Sequence, residues 1–248
     1  MEIDIVAIAV AIVIWQMFSV LGLLNPLIVP SPLAILLSYS TLASGGDFVS
    51  NFSITLFELL AATVIVVSIG LLVGFAIAAH DMTSSVFEPL IIAIFAIPSI
   101  VIYPIFFLVL GLGPLSKIAF GVLVGAFPII QNTVAAVRQV RHEHIVVGRS
   151  YGASPFVLFR KIIFPSTASL VIAGIKLGVA LTFIGVIAGE MIASQAGLGF
   201  LITISFDKFE IALMYGIVLI VVLVALSIYY FLNLLEDHYR IVGYGQAV

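Results

Sequence analysis

The sequence predicts an all-α, polytopic membrane protein with about six transmembrane helices. Of 248 residues, 63% are hydrophobic and only 8% are charged, with a mean hydropathy of +1.37, whereas soluble domains carry about 25% charged residues. The hydrophobic residues also fall into runs near the length of about 20 residues that a bilayer-spanning helix needs. This composition excludes soluble globular and disordered proteins, and a net charge of −3 argues against a nucleic-acid-binding surface. We expect one membrane domain over residues 1–248.

The predicted spans end where Gly, Pro and charged residues cluster. They cover residues 5–24, 52–79, 87–110, 115–137, 168–193 and 211–235. The third span contains Pro89, Pro98 and Pro104, which predict kinks or partly unwound turns. The first apolar run follows Glu2 and Asp4 rather than a basic segment, so we interpret it as a retained span and not as a signal peptide.

The orientation follows from the interval between spans 4 and 5, residues 138–165. It holds five of the nine basic residues, namely Arg138, Arg141, Arg149, Arg160 and Lys161. The positive-inside rule places this loop in the cytoplasm. Counting spans in both directions from there places both termini in the cytoplasm as well.

A short helix of about ten residues is expected inside this loop. Ser154 and Pro155 supply an N-cap followed by proline at the first helical position, and Pro165 predicts an end at Phe164. The apolar residues recur at spacings of three and four beside two cations; they are Phe156, Phe159 and Ile163, with Arg160 and Lys161. Two placements remain open: the helix lies on lipid headgroups, or it fits a groove on a cytoplasmic partner protein.

Four glycines of the fifth span share one face of the helix. Gly174, Gly178, Gly185 and Gly189 fall within roughly a 60° arc at about 100° per residue. Such a smooth strip permits close helix contact in a membrane. The strip serves either packing within the subunit or a subunit interface or pathway wall, and the pattern alone does not choose between them.

Lys176, Glu58 and Glu190 are three of the charged residues within the predicted spans. We expect Lys176 to snorkel towards the inner interface. Glu58 and Glu190 lie in the outer parts of spans 2 and 5, and an acid inside a span must face a cavity or a partner. Our hypothesis is that both line an outward vestibule; the alternative is a structural hydrogen bond to a neighbouring helix or exposure at the interface.

The loop helix carries a family resemblance. The stretch from Gly152-Ala153-Ser154-Pro155 to Ile162-Ile163-Phe164-Pro165 resembles the cytoplasmic EAA loop of the permease subunits of bacterial and archaeal ABC importers. Further matches to the nitrate, sulfonate and taurine branch follow in order: Trp15, Val29-Pro30-Ser31-Pro32, Ala96-Ile97-Pro98, Pro104, Gly111-Leu112-Gly113, Lys117, Gly174-Ile175-Lys176, Gly189-Glu190-Met191 and Gly197-Leu198-Gly199-Phe200. The resemblance covers nearly the whole chain, and the order and spacing of the matches carry it.

The sequence departs from this family at two places. Val146-Val147-Gly148 stands where the family usually has Glu-Ala-Ala, so the contacts of that acid do not carry over. Glu58 stands near a position where sulfonate-type relatives often have a basic residue, which argues weakly against a small inorganic anion as cargo.

The resemblance implies a non-catalytic subunit of the cytoplasmic membrane. Two permease copies would form the pathway among membrane lipids, two ATPase subunits would dock on the loop containing Gly152, Ala153 and Ser154, and an extracytoplasmic solute-binding protein would deliver cargo. The chain contains no Gly-x-x-x-x-Gly-Lys-Ser/Thr, so ATP and Mg²⁺ are expected on the partner ATPase and no cofactor in this chain. Whether the two permease copies are identical is left open.

The sequence leaves alternatives for the cargo and for the class of function. The resemblance favours sulfonates, taurine or nitrate, and the runner-up is a vitamin-related heterocycle such as a thiamine pyrimidine precursor or riboflavin. An ATP-independent secondary transporter would usually show internal repeats, and none is evident.

A metal site is not expected at His142-Glu143-His144, because residues at i and i+2 point apart on a helix. A membrane enzyme is not favoured either, since Phe156 stands where a nucleophile elbow needs glycine.

Overall fold

The computed structural model describes the backbone of residues 2–79 and 81–244, and the side chains of residues 6–79, 85–234 and 236. These residues form helices and connecting turns, with no strand among them. The α-helices, numbered α1 to α11 in chain order, are Glu2–Val20, Pro32–Ser44, Asp47–Ala78, Asp81–Phe95, Ser99–Leu110, Pro114–Arg138, His142–Ser150, Pro155–Leu158, Phe164–Ile192, Leu198–Asp207 and Ile211–Tyr244. One π-helix, Phe159–Ile163, joins α8 to α9.

Four helical segments are long and apolar enough to cross a membrane. They are Asp47–Ala78, Pro114–Arg138, Pro155–Ile192 and Ile211–Leu234. The pair Ser85–Phe95 and Ser99–Leu110 counts as a fifth if it forms one broken span. The described apolar part of α1, Val6–Val20, is shorter than a full span. The multi-pass, all-helical architecture is therefore confirmed, whereas the count of six spans stays a prediction.

The break predicted in the third span is present. Helices α4 and α5 meet at an angle of 87°, and Pro98 occupies the N-cap position of α5. Pro89 and Pro104 lie inside α4 and α5 respectively. Of the three prolines, the chain therefore breaks at Pro98, whose fixed φ and missing N–H suit a helix start.

The predicted helix end at Pro165 is wrong. Ser154 does cap α8, accepting a hydrogen bond from the Val157 N–H at 3.4 Å, but the helix then continues through the π-turn into α9. In that turn the Phe164 N–H donates to the Phe159 carbonyl, five residues back. This wider turn shifts the hydrogen-bond register just before Pro165, so the proline is accommodated in the first turn of α9, where its missing N–H costs little.

Three helices were not predicted because their sequences lie in stretches assigned to loops. Helix α2 is capped by Ser31, whose hydroxyl accepts a hydrogen bond from the Ala34 N–H at 3.1 Å. Helices α7 and α10 have 9 and 10 residues. All three are shorter than the apolar run of about 18 residues used to recognise a span.

The chain divides into two compact units. The first comprises Met1–Phe57 and Ile187–Val224, and the second comprises Glu58–Val186 and Ala225–Val248. In the first unit, Leu198, Ile202 and Ile217 form a buried cluster, with Phe48 and Phe52 packed against it. In the second unit, Ile77, Ile130 and Val134 form a buried cluster that joins α3 to α6.

Candidate functional site

The predicted loop helix exposes its leading aromatic residue. The Phe156 side chain is 69% exposed, and Arg160 and Lys161 are exposed one turn further along. Gly152, which precedes the helix, has φ +74°, a conformation that favours glycine. This part of the second unit therefore presents an apolar side chain beside two cations.

Phe159 belongs to the same predicted stripe but makes a different contact. Its ring lies 5.1 Å from the Phe75 ring of α3 in an edge-to-face arrangement, and 6.2 Å from the ring of Phe164. Ile163 is half-buried. The stripe is thus divided among the strongly exposed Phe156, the 37% exposed Phe159 that contacts Phe75, and the half-buried Ile163. Sequence reasoning missed Phe75, since nothing in α3 distinguishes it from the surrounding apolar residues.

The buried side of the loop segment consists of residues that the stripe did not include. Leu158 is 6% exposed, and it packs with Ile162 against Gly148 of α7. A Cβ added at Gly148 would lie 2.5 Å from Leu158 Cδ2 and 2.8 Å from Ile162 Cδ1. The departure from Glu-Ala-Ala at this position therefore keeps a small residue where α7 contacts the loop helix.

Three of the four predicted glycines on α9 lie against α6 within the second unit. A Cβ at Gly174 would lie 2.5 Å from Asn132 Cβ, and one at Gly178 would lie 2.3 Å from Ile129 Cγ1. Gly185 lies against the backbone of Gly121, with 3.0 Å between the added Cβ and the Gly121 Cα. The geometry matches close packing within the subunit. Gly189, the fourth, is buried in the first unit.

Glu190 lies in a buried hydrogen-bond network of the first unit. It is 1% exposed, and Thr55 and Asn51 of α3 are 2% and 8% exposed. The Thr55 hydroxyl donates to Glu190 Oε1 at 2.6 Å, and the Gly199 N–H donates to Oε2 at 2.7 Å. The contacts of Glu190 fit the structural alternative considered for it; the vestibule hypothesis stays a prediction.

Two further charged residues are buried in the second unit. Glu58 of α3 and Lys117 of α6 are each 1% exposed. The Lys117 ammonium donates hydrogen bonds to the carbonyls of Leu112 and Gly113 in the preceding turn. Neither charge thus faces open solvent in this subunit.

Lys176 makes contacts within the protein, and its snorkelling stays a prediction. Its ammonium lies 2.6 Å from Glu236 Oε2, donates to Asn233 Oδ1, and sits 5.4 Å from the centroid of the Tyr229 ring. Residues 229, 233 and 236 recur at helical spacing on one face of α11. An opposite charge on that helix satisfies the lysine within the protein.

A cavity of the first unit is lined by residues other than the predicted acid Glu190. It measures about 830 Å³ and adjoins the end of α1, helix α2 and the start of α11. Gln16, Asn25, Ser38 and Glu210 are among its polar lining residues. Neither Glu58 nor Glu190 lines it.

Comparison with known protein families identifies the family of this chain. The family described as binding-protein-dependent transport system inner membrane component matches residues 66–240. The chain belongs to this family. It is therefore a transport permease, a membrane component that performs no catalysis, and the predicted family membership is confirmed.

Known relatives extend the similarity of this permease. It is 26% identical over 199 residues to the taurine transport system permease protein TauC of Escherichia coli, covering 78% of this chain and 72% of TauC. It is 32% identical over 148 residues to the riboflavin transport system permease protein RibX of Chloroflexus aurantiacus, covering 60% of this chain and 55% of RibX. The first relative supports the sulfonate and taurine type.

A solved structure supports the fold of the permease. A chain of the MetNI methionine ABC transporter in an inward-facing conformation superposes with a TM-score of 0.61 at 16% identity. The alignment covers 74% of this permease and 94% of that chain. The helical fold therefore matches that of an ABC transporter chain.

Proposed function

We propose that this permease forms, as a dimer, the translocation pathway of an ATP-binding cassette importer in the cytoplasmic membrane. The proposal rests chiefly on the family match over residues 66–240. It places about six spans in the membrane and both termini in the cytoplasm, in keeping with the five cations of residues 138–165. The partners are two ATPase subunits, which hold ATP and Mg²⁺, and an extracytoplasmic solute-binding protein.

The ATPase docks on the segment from Gly152 to Pro165. Support comes from the exposed Phe156 side chain, which is an apolar anchor suited to a groove on a partner, and from the neighbouring cations Arg160 and Lys161. The contact of Phe159 with Phe75 then links the docked segment to α3. Nucleotide-driven movement of the ATPase is transmitted through these contacts to the spans.

The substitution Phe156→Asp tests the docking surface. Because the Phe156 side chain is 69% exposed, an aspartate there leaves the fold intact but removes the apolar anchor. We expect at least roughly tenfold less ATPase to copurify, the loss typical of removing a central interface residue. Phe209→Asp is the matched control, since Phe209 is 75% exposed and has φ 58°, which Asp tolerates. Equal copurification of the two variants would contradict docking at this segment.

The cargo is proposed to be a small organic anion of the sulfonate, taurine or nitrate type. The similarity to TauC supports it. The alternative, a vitamin-related heterocycle, is supported by the similarity to RibX over 148 residues. A thermal-shift screen of the cognate binding protein separates the two: stabilisation by taurine and not by riboflavin is expected, and the reverse result would establish the heterocycle.

Glu58 and Glu190 are proposed to belong to the wall of the outward part of the pathway. Both side chains are buried, and buried carboxylates inside spans are rarely without a functional partner. Uptake measured in proteoliposomes with Glu58→Gln and Glu190→Gln tests this role. Uptake kinetics equal to those of the unsubstituted permease in both variants would rule it out.

A further inference from the structure

Helix α10 is an apolar helix too short to cross a membrane. Its 10 residues span about 15 Å at 1.5 Å per residue, roughly half of the 30 Å hydrocarbon core. It follows α9 and precedes α11 in the chain, and both of those helices include membrane-spanning segments. In the proposed orientation, α10 therefore lies on the outer side of the permease.

The N-terminus of α10 is capped by three side chains from other helices. The N–H of Gly197 donates to Asn51 Oδ1 at 2.7 Å, that of Leu198 donates to Thr55 Oγ1 at 2.7 Å, and that of Gly199 donates to the Glu190 carboxylate. Three consecutive N–H groups thus each have a dedicated acceptor. Asn51 and Thr55 are one helical turn apart on α3, which aims both side chains at the same turn.

This arrangement supplies what a helix start inside a membrane protein requires. The first N–H groups of a helix have no partner within the helix, and leaving them unpaired in an apolar surrounding is costly. The N-terminus also carries a partial positive charge that favours an anion. Since the Glu190 carboxylate supplies that anion, the N-terminus of α10 is not available to an anionic cargo.

Gly197 permits the close approach of the carboxylate. It has φ +111°, and a Cβ added there would lie 2.2 Å from Glu190 Oε1. Beyond the cap, Leu198 and Ile202 pack against Ile217 of α11, and the Thr203 hydroxyl donates to the Met191 carbonyl at 3.1 Å. Helix α10 is therefore held by polar contacts at its N-terminus and by apolar packing along its length.

We propose that Asn51, Thr55 and Glu190 form a latch, a set of positioning residues that fixes α10 so that it closes the outer side of the pathway. The inference rests on the proposed function and on its orientation, and it gives Glu190 an indirect role in the pathway wall. The latch residues act through α10 and do not contact the cargo. The latch also gives a role to two motifs of the sequence. Gly189-Glu190 provides the carboxylate, and Gly197-Leu198-Gly199 provides the turn that the carboxylate binds.

The absence of cysteine from the sequence permits a direct test. Phe206→Cys places a reporter thiol on α10 at a side chain that is 57% exposed. The complete complex of permease, ATPase and binding protein is reconstituted in proteoliposomes. The rate at which a maleimide labels this thiol is measured. Cargo uptake per ATP hydrolysed is measured in the same preparation, once with taurine and once with riboflavin as the cargo.

The test compares Thr55→Val with Thr55→Ser in the reporter background. Valine removes the hydroxyl at nearly constant volume, so we expect labelling to become at least about fivefold faster and uptake per ATP to fall at least about tenfold, as expected when a buried network loses its central hydrogen bonds. Serine keeps the hydroxyl and is expected to restore both values. Ser53→Ala is the control, since the Ser53 hydroxyl is exposed and bonds only within α3.

Each outcome bears on the latch. Labelling and uptake per ATP equal in Thr55→Val and Ser53→Ala would overturn it. If Thr55→Val fails to assemble, Asn51→Leu is measured in the same way, and values equal to those of Ser53→Ala would overturn it. Absence of ATP-driven uptake by the unsubstituted complex would instead refute the proposed function, while the labelling rates would still decide whether the latch holds α10.

Discussion

At the scale of single residues, Lys176 shows how a cation is kept in an apolar helix. The side chain is 20% exposed and pairs with Glu236, which is 31% exposed. A buried or partly buried ion pair is sensitive to the loss of one partner, whereas replacing both by apolar residues is less damaging. The pair joins α9 to the last part of α11 within the second unit.

We expect Lys176→Met to lower the free energy of unfolding by about 1–2 kcal/mol, since it leaves the Glu236 carboxylate without its cation. The double variant Lys176→Met, Glu236→Met should lose less than the sum of the two single changes. Chemical denaturation in detergent measures both. Lys161→Met, at an exposed position, is the control, and an equal loss in Lys161→Met would contradict a stabilising pair.

Single residues also show how much of the candidate site could be predicted from the sequence. The glycines at 174, 178 and 185 could be identified because helical spacing places them on one face. The partners of Lys176 and Glu190 could not, because they lie 60 and 135 residues away along the chain at Glu236 and Thr55. A side chain's own type and spacing do not say which distant helix will meet it.

At the scale of elements, the segment from α8 to α9 shows which local signals decide a helix. Ser154 and Pro155 predicted its start, because capping is a local interaction of the backbone. Pro165 predicted an end that is absent, because the π-turn over Phe159–Ile163 absorbs the proline. Ile162 of this turn and Leu158 before it pack against Gly148 of α7, a contact that local sequence does not reveal.

The π-turn also carries Phe159 to its contact with Phe75, and this contact is predicted to transmit coupling. We expect Phe159→Leu and Phe75→Leu each to reduce the stimulation of ATP hydrolysis by the loaded binding protein several-fold, since an aromatic pair contributes about 0.5–1.5 kcal/mol beyond apolar burial. The double variant should be no worse than either single one.

The ratio of stimulated to basal ATP hydrolysis in proteoliposomes provides the measurement. Phe95→Leu is the control: its ring stacks on Phe127 at 3.9 Å in the same unit and makes no ring contact with Phe75 or Phe159 among the described residues. Strictly additive losses in the double variant, or an equal loss in Phe95→Leu, would show that Phe75 and Phe159 are not coupled.

At the scale of the whole molecule, composition predicted a membrane environment and an all-helical fold, but it did not predict the number of transmembrane helices. Long apolar runs produced α3, α6, α9 and α11 as expected, since a helix must satisfy its own backbone in lipid. The shorter helices α2 and α10 escaped notice because burial against neighbouring helices, rather than length, stabilises them. Their cores, such as Leu198 with Ile217, are tertiary contacts.

The proposed topology predicts opposite accessibility for two exposed side chains. Tyr151 is 88% exposed and Phe209 is 75% exposed, so a cysteine introduced at either position is reachable. In spheroplasts with an intact cytoplasmic membrane, a membrane-impermeant maleimide should label Phe209→Cys. It should label Tyr151→Cys only after that membrane is permeabilised. The opposite pattern would reverse the orientation.

The ion pair between Lys176 and Glu236 also sets an order of events during synthesis. The two residues are 60 positions apart, so at about 5–20 residues per second the lysine emerges from the ribosome several seconds before its acid. During that interval the cation of the nascent α9 is without its partner acid. The pair can form only once this part of α11 has been synthesised, so the contact between α9 and α11 is a late event in the assembly of the second unit.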